Sequence, residues 1–167
     1  GVRCTVNFTP VLLEQLAEYA AGTAHDRFQD LTRRPAADLA PEDRQAILRS
    51  FFMVDWETHV RPSRRYWDLL QKRGRDVRHA DLARLAAAFG DAELTDLQAL
   101  FNLAWMGFGA LADDEGLRAL VEKDRDYTRE DVAYVLEAQR RILTRVVPRW
   151  RALAERGHTV AARVDAS

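Results

Sequence analysis

The run from Tyr127 to Gly157 is the longest uninterrupted helical pattern in the chain and sets the scale for the rest. Apolar residues recur at Val132, Val135, Leu136, Ile142, Leu143, Val146, Trp150 and Leu153, a helical period. Thr128 is placed to cap this helix, with Asp131 three residues on to complete a capping box and Tyr127 and Val132 at the staple positions. Glu130 and Asp131 lie near the positive end of the dipole, Arg149, Arg151 and Arg156 lie toward the negative end, and Gly157 comes next as the stop. At about 1.5 Å per residue the helix spans roughly 40 Å, enough to brace a small domain. Pro148 falls inside it, removes the bond to the Thr144 carbonyl and predicts a kink.

The remaining segments are shorter. Val2–Phe8 alternates as a strand, with Cys4, Val6 and Phe8 on one face, and Thr9-Pro10 then starts a helix carrying Leu12, Leu13, Leu16, Tyr19 and Ala20 inward as far as Gly22. Further helices are predicted over 24–33, from Pro41 through Phe52, from Pro62 to Gly74, over 81–89, from an N-cap at Thr95 through Trp105, and over 114–123. Met53–Arg61 has no period and reads as a loop, and the two glycines of 106–111 read as a break. Residues 159–164 return to alternation as a second strand. The expected fold is mostly α: a multi-helix block over 24–157, preceded by a strand-helix unit over 1–22 and followed by a strand over 158–164, as one domain or part of one.

Composition narrows the function classes. With 167 residues and 47% hydrophobic content the chain can bury a sizeable core. Basic and acidic residues number 25 and 26, a balance unlike that of a dedicated nucleic-acid binder. A single cysteine, Cys4, permits no internal disulfide, and no run approaches the roughly 18 apolar residues of a membrane span. The expected setting is cytoplasmic, without nucleic-acid or membrane partners. The four histidines have no partner at metal-ligand spacing, and neither nucleophile-elbow nor phosphate-loop motifs occur, so no metal or cofactor is expected.

A few residues stand outside the helical stripes. Asp55 and Glu57 bracket Trp56 in the aperiodic loop, where solvated acids are the simpler reading. Trp56 and Trp105 are the aromatics least explained by helical packing; each fills core or offers a flat face on which a sugar ring stacks. Arg61, directly before Pro62, either pairs structurally or holds substrate. Asp113, Asp114 and Glu115 read as the acidic first turn of a helix.

Four stretches together resemble glycoside hydrolase family 57, the retaining amylase, branching-enzyme and glucanotransferase group: VNFTPVLLEQLAEYA (6–20), FFMVDWETHVRPSRRYWDLLQKRG (51–74), DLQALFNLAWMG (96–107) and YTREDVAYVLEAQRRILTRVVPRWRALAERGH (127–158). The resemblance implies part of a distorted (β/α)₇ barrel: an early strand, its helix, the family's large helical insertion and the start of the next strand. After Gly157 the chain departs from the family, with His158 and TVAARVDAS in place of the usual glutamine and apolar-acidic strand. The family's nucleophilic glutamate and its aspartate acid/base belong to later strands, so no catalytic residue carries over to any position here. The resemblance implies instead a helical cover beside a polysaccharide groove, lined by Asn7, Trp56, Arg61 and Trp105, with an α-glucan or oligosaccharide and the remaining barrel strands as partners. A free-standing helical protein-interaction module is the alternative from a different class.

Overall fold

The computed structural model describes residues 9–24 and 26–156. Among them the chain is mostly helical and contains no strand. The strands expected over 2–8 and 159–164, with Cys4, Asn7 and the Gly157 stop, lie outside the described residues. No helix among the described residues is long and apolar enough to cross a membrane. The helices are α1 (Pro10–Ala21), α2 (Arg27–Arg33), α3 (Pro41–Ser50), α4 (Arg64–Arg73), α5 (Leu82–Ala88), α6 (Asp91–Leu103), α7 (Phe108–Asp113), α8 (Glu115–Lys123) and α9 (Arg129–Glu155). By contact the chain divides into two compact units, residues 25–138 and the remainder, 1–24 with 139–167; α9 contributes to both.

In the 25–138 unit the most buried helix is α6, not the longest one. From Asp96 to Leu103 every side chain of α6 is buried. A helix enclosed on all sides has no polar face to give to water, so its polar residues must find protein partners. They do. Gln98 Nε2 donates to the Leu31 and Arg34 carbonyls at 2.7 and 3.0 Å, capping the end of α2. Asn102 Nδ2 donates to Thr32 Oγ1 at 3.1 Å. Arg129, in the first turn of α9, donates to Gln98 Oε1 at 2.9 Å and to the Thr32 and Arg33 carbonyls at 3.3 and 2.6 Å. Around this network pack Ile47, Leu48 and Phe51 from α3 and its end, Leu69 and Leu70 from α4, Leu82 from α5, and Val132 and Val135 from α9. Arg44 of α3 ties the rim, donating to the Ala36 and Phe89 carbonyls at 3.1 and 3.3 Å and pairing with Asp91.

Local signals place most helix starts. Thr128 and Asp131 form the expected capping box: Thr128 N–H donates to Asp131 Oδ2 at 2.8 Å and Asp131 N–H to Thr128 Oγ1 at 3.3 Å. Tyr127 and Val132 are both buried beside it. Three starts differ from the sequence expectation. Helix α2 begins at Arg27 rather than at residue 24, because Asp26 caps it, its Oδ1 accepting from Phe28 N–H at 2.7 Å. Helix α6 begins at Asp91, four residues before Thr95, because Glu93 reaches back to the Gly90 N–H at 2.9 Å; Thr95 sits inside the helix and returns its hydroxyl proton to the Asp91 carbonyl. Helix α4 is capped by Ser63, whose Oγ accepts from Tyr66 N–H at 2.9 Å, rather than opened by Pro62. The break expected at 106–111 is present, since α6 ends at Leu103 and 104–107 are not helical, but it is shorter, because α7 starts at Phe108.

The second unit is built differently. Thr9 Oγ1 accepts from Leu12 N–H at 3.2 Å, and Gly22 closes α1 in the left-handed region at φ 75°, so the expected boundaries hold. The expected burial does not. Val11, Leu12 and Leu13 are exposed, Val11 by 62%, while Leu16, Tyr19 and Ala20 are only half-buried. The apolar stripe of α9 changes character along its length: Val132 and Val135 are fully enclosed, but Ile142 is exposed and Leu143, Val146 and Trp150 are half-buried. All buried hydrophobic side chains of the described residues fall between Leu31 and Ala138. Helix α9 runs through Pro148.

Candidate functional site

Residues 53–61, expected to be an irregular loop, form a one-turn π-type helix over Trp56–Val60. Its closing bond runs from Arg61 N–H to the Trp56 carbonyl at 2.8 Å, one residue wider than an α-turn. Asp55 caps it. Its Oδ1 accepts from Thr58 N–H at 2.8 Å and from Thr58 Oγ1 at 2.7 Å, bonds that hold the Asp55 carboxyl below the ordinary aspartate range. Glu57 accepts from Arg61 Nη1 through both carboxylate oxygens at 3.1 Å. The two acids that bracket Trp56 therefore have defined structural partners.

The wide turn points its aromatic and cationic groups two ways. Toward α4, Trp56 is half-buried and its Nε1 donates to the Phe52 carbonyl at 2.8 Å. The Arg75 guanidinium lies 5.9 Å from the centre of the Trp56 ring and 5.3 Å from that of Trp67. Arg61 lies over Trp67 at 5.2 Å, and Arg73 over Phe52 at 4.9 Å. Trp56 and Arg61 are thus brought into one aromatic-arginine cluster, where Trp56 serves as a packed bracket under a guanidinium rather than a bare platform.

In the other direction, His59 reaches Trp105, ring centres 6.0 Å apart. Trp105 stands at the end of α6, 60% exposed, with its edge against Phe101 at 6.4 Å. Phe101 in turn stacks on Phe51 at 4.3 Å and on Phe28 at 5.9 Å, so an aromatic chain runs from the core to the surface at Trp105. Thr58 Oγ1 gives its proton to Asp55 and thereby offers a lone pair to His59 Nδ1 at 2.8 Å. In that arrangement Nδ1 carries hydrogen, and in the neutral ring Nε2 is the acceptor. An acceptor beside a flat exposed ring is a pairing suited to a ligand with both an apolar face and hydroxyl donors.

Of the four residues proposed from sequence as groove lining, Trp56 and Arg61 share one cluster, Trp105 stands on the other side of the same turn, and Asn7 lies outside the described residues. His59, Thr58, Trp67 and Arg75 were missed. His59 lies three residues after Trp56, but the spacing has meaning only once the turn is known to be π-type. Arg75 comes just after the Gly74 stop in a polar connection that carries no periodic signal. Among the described residues no group of three or more His, Cys, Asp or Glu side chains is placed to hold a metal ion. No family model matches the chain, and no match is found among curated proteins or solved structures.

Proposed function

We propose that this chain is the helical region of a retaining α-glucan-active glycoside hydrolase or glucanotransferase of the family-57 type, inactive by itself because the catalytic glutamate and aspartate belong to other strands. The observation that carries the reading is the uncovered apolar surface of α1 and of α9 beyond residue 139. These elements fall in two of the stretches on which the resemblance rests. They present Val11, Leu12, Leu13, Ile142, Leu143 and Val146, yet none of their described side chains is fully buried. Apolar residues at this density on helices ordinarily face a partner layer, and a barrel is the layer the reading supplies. In the full enzyme one carboxylate attacks the anomeric carbon and a protonated partner releases the leaving group. Trp105, with the His59 ring 6.0 Å from it, is the platform on which this reading seats a glucan ring; Trp56, Arg61 and Asn7 complete the lining. The setting on this reading is the cytoplasm.

Two experiments test it. Incubation of the isolated chain with soluble α-glucan gives no turnover, and turnover would overturn the assignment. The coding sequence on either side carries an upstream strand with a His-Gln-Pro motif and downstream strands with isolated Glu and Asp; a coding region without them removes the reading.

A second reading, a free-standing helical interaction module, is favoured by the 25–138 unit, whose core and buried polar network are complete within itself. It expects a monodisperse chain that unfolds cooperatively and binds no apolar dye through α1 and α9. The enzyme reading expects dye binding or association through α1 and α9.

A further inference from the structure

The aromatic-arginine cluster has a feature that neither reading uses. Residues 61–78 contain seven basic side chains and only two acidic ones in a chain whose overall charge is −1. Most of these cations are neutralised: Arg65 by Asp96, Lys72 by Glu93, Arg78 by Asp81 and Arg61 by Glu57. Arg75 is not. Among the described residues it makes ring contacts to Trp56 and Trp67 and no hydrogen bond or ion pair. Stacking engages the face of a guanidinium and leaves its five edge donors free. Arg61 is only partly used, because a single nitrogen, Nη1, meets both Glu57 oxygens and leaves Nη2 and Nε open. On the neighbouring Phe52 ring Arg73 adds a third cation, half-buried, whose Nε has no hydrogen-bond partner.

We propose that Arg75 and Arg61, held on the Trp56 and Trp67 rings, form a binding site for a phosphate-type oxyanion. The rings fix the long side chains in advance, so less rotamer entropy is lost when the ligand arrives. They also displace water from the guanidinium faces and raise the value of each charge-assisted hydrogen bond at the edges. Both guanidinium groups lie against the Trp67 ring, at 5.2 and 5.3 Å from its centre, and two forks suit a tetrahedral group with several acceptor oxygens. A carboxylate has two oxygens and matches a single fork; Glu57 engages only Nη1 of Arg61 and leaves the rest of that fork open. The inference shares Trp56 and Arg61 with the lining of the glucan reading but does not depend on it, since it needs no sugar contact and no barrel.

The test is a titration of the whole ¹⁵N-labelled chain, tracking the arginine Nε–Hε resonances at fixed ionic strength. Inorganic phosphate and phenyl phosphate are the two probes, and acetate and chloride are the controls. Saturable shifts at Arg75 and Arg61 are expected with phosphate if the free ion is the ligand, or with phenyl phosphate alone if an ester is. Arg75→Gln weakens binding about tenfold, with the amide spectrum unchanged because Arg75 is exposed. Glu57→Gln frees Arg61 and tightens binding. Shifts no larger than those of acetate or chloride, or an Arg75→Gln curve that overlays the wild type, overturn the proposal. So does a Glu57→Gln variant that binds more weakly.

Discussion

Arg65 Nε donates to Asp96 Oδ2 at 2.7 Å, and the Asp96 side chain that receives it is only 1% exposed. The other Asp96 oxygen accepts from Tyr127 N–H at 2.8 Å, so one buried carboxylate on α6 fixes both the first turn of α4 and the approach to α9. Asp124, in the left-handed region at φ 58°, repeats the arrangement a short way off by accepting from Arg65 N–H at 3.1 Å and from Ser63 Oγ. The starts of two helices, capped locally by Ser63 and by Thr128 with Asp131, are thus also braced by carboxylates from elsewhere in the chain.

Asp96→Asn removes the anion and leaves Arg65, itself mostly buried, facing a neutral amide. Breaking one side of a buried pair costs about 3 kcal/mol. Urea unfolding of the variant is expected to show a midpoint lowered accordingly with an unchanged slope. A loss below about 1 kcal/mol would mean that water solvates the site.

Gln98→Leu keeps side-chain volume on α6 and deletes both directions of its bonding. The Leu31 and Arg34 carbonyls lose their donor, and Arg129 keeps only backbone carbonyls for partners. Stranded buried acceptors cost about 2 kcal/mol in total. Hydrogen exchange is expected to accelerate first at the end of α2, where the cap is lost; uniform acceleration across the unit would contradict a local role.

Acid sensitivity is expected at two linked sites. Burial pushes the Glu93 carboxyl up, but the Lys72 ammonium and the Gly90 N–H outweigh it and hold it below the ordinary glutamate value of 4.5. Asp131 behaves alike: burial raises it, while Lys123 and Thr128 bring it below 3.8. A carboxyl depressed in the folded state contributes stability above its unfolded value and loses it as pH falls through the folded one. Thermal midpoints are therefore expected to drop as pH falls below about 4.5, and to drop less in Glu93→Gln. Parallel wild-type and variant profiles would exclude Glu93 as a source.

Trp105→Ser and Phe108→Ser together remove two large exposed apolar side chains, 60% and 94% accessible, next to Gly107. Neither contributes to the buried core, so stability changes by no more than about 0.5 kcal/mol. Binding of an apolar fluorescent dye is expected to fall measurably, leaving the share due to α1 and α9. Unchanged dye fluorescence would locate all accessible apolar surface elsewhere.

Helix starts were readable where the cap is local. Thr9, Thr128 with Asp131, and Asp114 each cap within three residues, so sequence spacing carries the whole signal. Thr95 misled because a good capping residue also tolerates a helix interior, where its hydroxyl bonds back to Asp91, and the true start used Gly90, which has no side chain to cap with, and Glu93 three residues on. The central place of α6 was hidden for a related reason. Asp96, Gln98 and Asn102 make its sequence look amphipathic, and only their partners on α2, α4 and α9 reveal that the helix is enclosed. Stripe periodicity marked which faces of α1 and α9 are apolar, but not whether anything covers them. Of the candidate site, the odd placement of Trp56 and Trp105 was visible, while the Arg75 and His59 contacts depend on the turn between them.

That turn also fixes the length of its own segment. A π-type turn holds one residue more than the α-helical form it resembles, and here the surplus residue separates the direction of Trp56 from that of His59. Deleting position 57 or 58 would let the backbone relax into an ordinary turn and rotate the residues beyond the deletion by about 100°. Arg61 would then leave Trp67 and His59 would leave Trp105 together. Side chains in this stretch are open to exchange, but its residue count is not: a shortened version would trade both surface clusters for a better-formed helix.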